Sequence, residues 1–372
     1  MAPVRVAGYA EPRRLTDASA TLGNSLVSVV IPCLNEATHF PSLLDALRRQ
    51  DASLHEVIVV DNGSTDRTCD IVREYQRHHS GWPLRLMRCP SPGAAAAMNA
   101  GIGAATGDVI VRLDGHSVPR ADYVRRAAAR LQEDGVGVAG GVWEVAPGRP
   151  TLVAGAIAGV LSHTLGTGGA AYRHPDQTVE ATDVDTVPFG CYRKALWEQL
   201  GGYNERLQVN EDYALNYKAR RAGWRVLLDP AIRCTYFARS TFGRLAAQYF
   251  QYGWRKAEML KTHPRSVRWR QIVPACFAAA LAGLAVLGFF TSTAWVMLGG
   301  LLLAYLLVLS IAAAQLARSR RAWLAMPAYV TAFCLVHLSW GFGACVNVIT
   351  LGQWPAWNGS TSTVTSRERG VS

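Results

Sequence analysis

The chain has 372 residues, half of them hydrophobic, and carries 38 Lys and Arg against 27 Asp and Glu, a formal charge of +11. That charge asks for an anionic partner such as a nucleotide or acidic lipid headgroups, and nucleic acid fits worst because no arginine-rich helix or interleaved basic–aromatic platform stands out. Eight scattered cysteines without a C-x-x-C pair argue against a zinc knuckle or a disulfide framework and suit a reducing cytosol.

Residues 1–25, with Pro3, Pro12, Arg13 and Arg14 and no apolar core, read as a disordered arm and not as a signal peptide. Apolar, β-branched runs then alternate with helical patterns. A first strand from Leu26 to Pro32 leads into the polar loop Cys33-Leu34-Asn35-Glu36, followed by a helix from Phe40 to Arg49 with Leu43, Leu44 and Leu47 on one face. The second strand, Glu56 to Val60, runs into Asp61-Asn62-Gly63-Ser64-Thr65-Asp66, and a helix spans Thr68 to His78. A weaker strand (Leu84 to Met87) and a small-residue helix carrying Asn99 follow. The central strand, from Val109, ends at Asp114-Gly115-His116, with Gly115 expected to allow a sharp turn. This alternation predicts a mostly parallel α/β sheet of Rossmann-like type, with ligands at the carboxyl ends of its strands.

Further on, residues from Gly135 to Val145 look extended, and 151–187 read as a loop-and-helix excursion over the cleft. The segment from Thr186 to Arg193 leads to a helix that Gly201-Gly202 stops. Asn210-Glu211-Asp212 opens another helix, where the acidic pair either complements the helix dipole or does chemistry. Residues 26–240 thus form one catalytic-domain candidate. Residues 241–270 mix Phe242, Leu245, Tyr249, Tyr252 and Trp254 with Arg244, Arg255 and Lys256, the pattern of a helix lying at a membrane surface or of an ordinary packing helix. Within 271–352, the uncharged runs 272–290, 294–316 and 324–351 predict three transmembrane helices, followed by a tail at 353–372. Arg265, Arg268 and Arg270 precede the first run and Arg318, Arg320 and Arg321 separate the last two, which puts the catalytic domain on the cytoplasmic side of the inner membrane.

Several residues stand where chemistry is expected. Asp61 closes a strand and could hold a base or ribose hydroxyls, while Asp66 either does the same or caps the next helix. Asp114 and His116, two residues apart at a strand end, could share a divalent cation, or His116 could hydrogen-bond the turn or a phosphate.

The motifs Val-Ser-Val-Val-Ile-Pro-Cys-Leu-Asn-Glu (residues 27–36), Val-Val-Asp-Asn-Gly-Ser-Thr-Asp (59–66), Gly93…Asn99…Gly101, Gly107-Asp108, Asp114-Gly115-His116, Gly201-Gly202-Tyr203-Asn204-Glu205 and Glu211-Asp212 together resemble the family 2 inverting glycosyltransferases of GT-A type. Within them, Val-Arg-x-Asp-Gly-His-Ser and Thr-Val-Pro-Phe-Gly-x-Tyr-Arg look like the membrane-associated glucosyltransferases of succinoglycan-type exopolysaccharide assembly. The resemblance implies a nucleotide-sugar donor, a UDP-sugar by preference, and a lipid-linked glycan, polyprenyl or polysaccharide acceptor at the membrane, with other polysaccharide-assembly proteins as partners. It implies donor contacts from Pro32, Asn35, Glu36, Asp61, Asn62, Gly93, Asn99, Arg112, Asp114 and, weakly, Arg255. It makes Asp212, beside Glu211, the general base, and puts a Mn²⁺ or Mg²⁺ ion at Asp114 and His116. His116 departs from the family's usual second aspartate and would favour Mn²⁺. Two rival readings are sugar transfer to polyprenyl phosphate itself and an inactive membrane scaffold of a polysaccharide assembly complex.

Overall fold

The computed structural model describes residues 25–175, 179–207, 210–262 and 269–350. The N-terminal arm, the C-terminal tail and the first of the two arginine clusters therefore lie wholly or mostly outside the described residues.

Three strands, β1 (Val27–Cys33), β2 (Glu56–Asp61) and β3 (Leu84–Arg88), run parallel with helices α1 (Phe40–Arg48), α2 (Thr68–His78) and α3 (Ala94–Ala104) between and after them. Every residue of β1 and β2 is buried, the signature of strands covered on both faces. β1 therefore continues through Pro32, whose missing amide costs little where the strand is about to leave the sheet. β4 (Val109–Arg112) pairs parallel with β1 on its other side. Two elements had no clear sequence signal. β5 (Ser117–Pro119) is only three residues long, and α4 (Tyr123–Arg130) buries just Tyr123, Val124 and Ala127 in an arginine-rich stretch.

The second half of the sheet is mixed. β6 (Val136–Pro147) is followed by α5 (Leu152–Leu161), α6 (Thr164–Thr167), a 3-10 turn at Ala171–Arg173 and the short β7 (Thr182–Asp183). β8 (Cys191–Arg193) inserts antiparallel between β4 and β6, and α7 (Lys194–Gln199), α8 (Glu211–Arg221) and β9 (Arg225–Ala238) complete the layer. The strand order is β3-β2-β1-β4-β8-β6-β9-β5, with β7 on β9. One result matters for function: β4 sits near the middle, so its carboxyl end opens onto the centre of the molecule.

α9 (Phe242–Thr262), α10 (Trp269–Leu287), α11 (Ser292–Ser319) and α12 (Met326–Ile349) follow the sheet. α9 lies tightly on α12: a Cβ on Gly253 would come within 1.9 Å of the Trp340 carbonyl oxygen, and one on Gly343 within 2.1 Å of that of Phe250. The packing is the small-residue type by which helices approach backbone to backbone. Of the three expected spans, α11 and the helical stretch ending in α12 are long and apolar enough to cross a bilayer, whereas the apolar part of α10, Gln271–Leu287, is shorter. All eight cysteines are free.

Glu56 fastens the domain's edge. It is 4% exposed. Its carboxylate accepts from Ser28 Oγ (2.8 Å), Thr106 N (2.6 Å), Thr106 Oγ1 (2.9 Å) and Arg85 Nη1 (2.6 Å). Burial opposes its ionisation, yet these donors win and pull its pKa down from 4.5 to about 2. A depressed carboxyl pKa contributes stability that is full above the unfolded value and is lost as pH falls through the folded one. Glu56→Gln should therefore cost about 2 kcal/mol at neutral pH and flatten the acid limb between those two values. Thermal unfolding of the full chain in detergent as a function of pH checks this; an unchanged acid limb would refute it.

Candidate active site

β4 ends in Arg112, a residue only 3% exposed. Its Nε lies 3.1 Å from Asp114 Oδ1, its Nη1 2.6 Å from Asp212 Oδ1 and its Nη2 2.8 Å from Glu211 Oε1. Only a planar fork of five N–H donors can hold three carboxylates from two distant segments at once. Asn210, in the left-handed conformation (φ 66°), turns the chain so that Glu211 and Asp212 start α8 facing β4.

One cation among three carboxylates leaves excess negative charge, and Asp212 absorbs it. Burial pushes its pKa up to about 7; Arg112 pulls against that, while Glu211 and Asp114 add to it. The Tyr203 hydroxyl donates to the same Oδ1 at 3.3 Å and sits 3.0 Å from the Tyr192 hydroxyl. A carboxylate that exchanges its proton near neutrality is suited to general-base work.

Gly115 has a different role from the expected sharp turn, because its φ is not positive. A Cβ there would lie 2.6 Å from Glu36 Cγ, so glycine is needed for the close approach of Glu36. That approach lets Glu36 Oε1 meet His116 Nδ1 at 2.8 Å, while the His116 ring stands edge-on to Tyr236. Nε2 is the nitrogen left for coordination. Among the described residues no group of three or more His, Cys, Asp or Glu side chains is gathered for a metal. Asp114 Oδ2 and His116 Nε2 nevertheless suit a divalent ion that takes its remaining ligands from phosphate and water, as such ions commonly do.

The other sequence candidates mostly shape loops. Asn35 (φ 57°) accepts at Oδ1 from the Thr65 and Asp66 amides at 2.8 and 3.3 Å. Asp61, 2% exposed, accepts from the Ser64 and Gly63 amides at 3.1 and 3.4 Å. Asn62 takes the Gly93 amide at 2.6 Å and donates to the Ser91 carbonyl at 2.7 Å. Asp66 holds the start of α2 through the Thr68 amide and hydroxyl (2.9 and 2.5 Å) and takes the Ala37 amide. Asn99 brackets Tyr203, accepting its amide and donating to its carbonyl at 2.9 Å each, and reaches Glu205 Oε1 at 2.8 Å. Asn99 is thereby a positioning residue for the tyrosine beside Asp212.

A cavity of about 1120 Å³ opens beside the carboxylates. Arg112, Asp114, Glu211 and Asp212 line one end, and Phe277, Tyr305, Leu309 and Trp340 of the C-terminal helices line the other. Arg255 pairs with Glu258 at 2.8 Å, and its neighbour Lys256 is the α9 cation on the cavity wall. Arg173 and Trp143 are lining residues without a signal in the sequence, since each lies in a stretch without a recognisable chemical motif, whereas Lys256 belongs to the basic–aromatic pattern of 241–270.

A mixed α/β sheet with acidic residues gathered at the end of a central strand is the arrangement in which open α/β folds bind ligands. The family model for Glycosyl transferase family 2 matches residues 28–193. The succinoglycan biosynthesis protein ExoA of Rhizobium meliloti (strain 1021) is 29% identical over 265 residues, 68% of this chain and 76% of the relative. A PGL/p-HBAD biosynthesis glycosyltransferase of Mycobacterium bovis (strain BCG / Pasteur 1173P2) is 30% identical over 203 residues, 52% of this chain and 69% of the relative. A Methanococcus voltae relative is 24% identical over 251 residues, 66% of this chain and 77% of its own. It is named as a dolichyl N-acetyl-alpha-D-glucosaminyl phosphate 3-beta-D-2,3-diacetamido-2,3-dideoxy-beta-D-glucuronosyltransferase. Among solved structures, the mannosyltransferase PcManGT of Pyrobaculum calidifontis, in complex with GDP-Man and Mn²⁺, superposes with a TM-score of 0.55 at 22% identity, covering 84% of this chain and 87% of that one, a likeness of fold. The chain belongs to the family 2 glycosyltransferases and is a glycosyltransferase enzyme of GT-A fold.

Proposed function

We propose that this enzyme is a membrane-anchored, inverting glycosyltransferase that moves a sugar from a nucleotide-sugar, in our reading a UDP-sugar, to a lipid-linked acceptor. The observation that carries the proposal is the cavity that joins the carboxylates at the end of β4 to the apolar walls of α10, α11 and α12. A purely soluble acceptor would need no such apolar wall. The names of the Rhizobium and Methanococcus relatives, one a polysaccharide biosynthesis protein and one acting on a dolichyl-linked sugar phosphate, fit that acceptor chemistry.

In the proposed reaction, Asp212 takes the proton of the acceptor hydroxyl as its oxygen attacks the anomeric carbon. The bond from that carbon to the nucleoside diphosphate breaks on the opposite face, and the configuration inverts. Tyr203 and Arg112 hold Asp212 in place, and Glu36 holds the His116 ring through Nδ1. Asp114 and His116 would hold a divalent cation, which supplies neutralisation of the charge on the departing diphosphate.

Asp212→Asn should lower turnover by about 10²–10⁴ while leaving donor binding nearly intact. In the wild type, kcat/KM should fall as pH drops below about 7, because protonation removes the base that burial has made easy to protonate. A labelled nucleotide-sugar assay on membranes across pH reads both effects; near-normal turnover of the variant would remove Asp212 from the role.

His116 is proposed as the nitrogen ligand, so Mn²⁺ should support more activity than Mg²⁺ in the wild type. His116→Asp should move the preference toward Mg²⁺ without abolishing turnover. An identical preference in both proteins would leave His116 as a partner of Glu36 alone.

The outward faces of α11 and of the α10–α11 connection are apolar and exposed, including Phe289, Phe290, Val296, Leu303 and Leu307, as a lipid-facing surface would be. We place the catalytic domain on the cytoplasmic side of the inner membrane with all three helices crossing, α10 by a thinner path. Reporter fusions after Arg321 should then read cytoplasmic and fusions after Trp357 external. The opposite pair of readings would mean that α10 does not cross.

A further inference from the structure

Arg173 is 6% exposed, in the 3-10 turn at Ala171–Arg173 that forms part of the cavity wall. Among the described residues no carboxylate pairs with it, and its Nη1 is buried without a hydrogen-bond partner. Aromatic faces surround it instead: its guanidinium carbon is 4.8 Å from the Trp143 ring, 5.6 Å from Tyr172 and 5.8 Å from Tyr236. Trp143 and Tyr236 themselves stack at 4.2 Å. Arg112, the other deeply buried arginine at this site, has its counter-charges in Asp114, Glu211 and Asp212. A guanidinium that stays charged, is desolvated and leaves a donor unused is set up for an anion that arrives from outside. Planar bidentate recognition by arginine fits phosphate oxygens in particular.

We propose that Arg173 is a phosphate-binding residue of the cavity, holding a phosphate group of a substrate against the Trp143–Tyr236 platform. The proposal rests on the transferase reading above, in which two substrates bring phosphate: the nucleotide-sugar, and an acceptor whose glycan is joined to lipid through phosphate. The position of Arg173 suits either. Tyr236 connects it to His116 and the donor side, and the apolar cavity walls lie on its other side.

The test uses the purified full chain in detergent and direct binding titrations with three probes: farnesyl phosphate, farnesol and UDP. Arg173→Met keeps an apolar stem among the aromatics, and Arg173→Lys keeps the charge but loses the fork. If the acceptor supplies the phosphate, Arg173→Met should weaken farnesyl phosphate by about tenfold or more, Arg173→Lys less, with farnesol and UDP unchanged. If the donor supplies it, UDP binding should weaken in the same order and farnesyl phosphate should not. In either case the unfolding temperature of Arg173→Met should stay level or rise, because a buried charge without a counter-charge among the described residues has been removed. Equal binding of farnesyl phosphate and of UDP by wild type and Arg173→Met would overturn the proposal. So would a wild type that binds farnesyl phosphate no better than farnesol while Arg173→Met binds UDP as the wild type does. Sugar transfer into lipid, measured separately with labelled donor, reports on the transferase reading itself, and the titrations need no turnover.

Discussion

The buried guanidinium of Arg112 is the constraint on which the site depends. It stands at the end of a strand fixed between β1 and β8, and it reaches across to the first turn of α8. Without it, Asp114, Glu211 and Asp212 would repel one another in a partly desolvated space, and uncompensated buried charge of that kind costs several kcal/mol. With it, the three acids are brought together yet not fully neutralised. The residual imbalance falls on Asp212, whose pKa rises. One interaction thus both assembles the site and shapes the protonation of Asp212.

Much of this was legible in the chain. The first strands of the sheet are mainly apolar runs, and their ends carry the polar residues that a parallel sheet exposes at its carboxyl edge. Asp114 was recognisable from such a position, and Glu211 and Asp212 from theirs at the start of a helix. What the sequence did not disclose was Arg112 as their common partner, because a contact over about 100 residues leaves no local pattern. The asparagines were legible only in part. Asn35, Asn62 and Asn99 each satisfy loop backbone as well, which Asn does readily and which gives no separate signature in sequence.

Residues 151–187 were legible only as an excursion. They lack a sustained period because they change conformation every few residues: a ten-residue helix, a four-residue helix, a 3-10 turn and a two-residue strand. Arg173 lies inside this irregular stretch, so neither periodicity nor motif could single it out. Only the three-dimensional fact that aromatic rings, and among the described residues no carboxylate, surround it gives it meaning. The apolar C-terminal helices show the reverse limit. Composition found the apolar runs easily, yet it gave no sign that glycines on α9 and α12 would bring those two backbones together.

That close crossing bears on how the two halves cooperate. α12 is locked to α9 through Gly253 and Gly343, and α9 follows directly from β9, so the apolar helices are held in register with the sheet. A second tie runs through His337 on α12. Its Nε2 meets the Leu165 carbonyl at 2.8 Å, and its Nδ1 lies 3.1 Å from the Tyr305 hydroxyl on α11. Leu165 belongs to α6, and the chain from α6 continues within a few residues to Arg173. A neutral imidazole that donates from one nitrogen and accepts at the other fits this bridge without any charge in the apolar region. The cavity wall is therefore hung from the C-terminal helices rather than from the sheet alone. A change in the packing of α11 on α12 would move Leu165, and with it the segment leading to Arg173, while Arg112 and its acids stayed fixed by β4. Positioning of the two ends of the cavity is in this sense divided: the chemistry is anchored in the sheet, and the wall opposite it is anchored in the apolar helices.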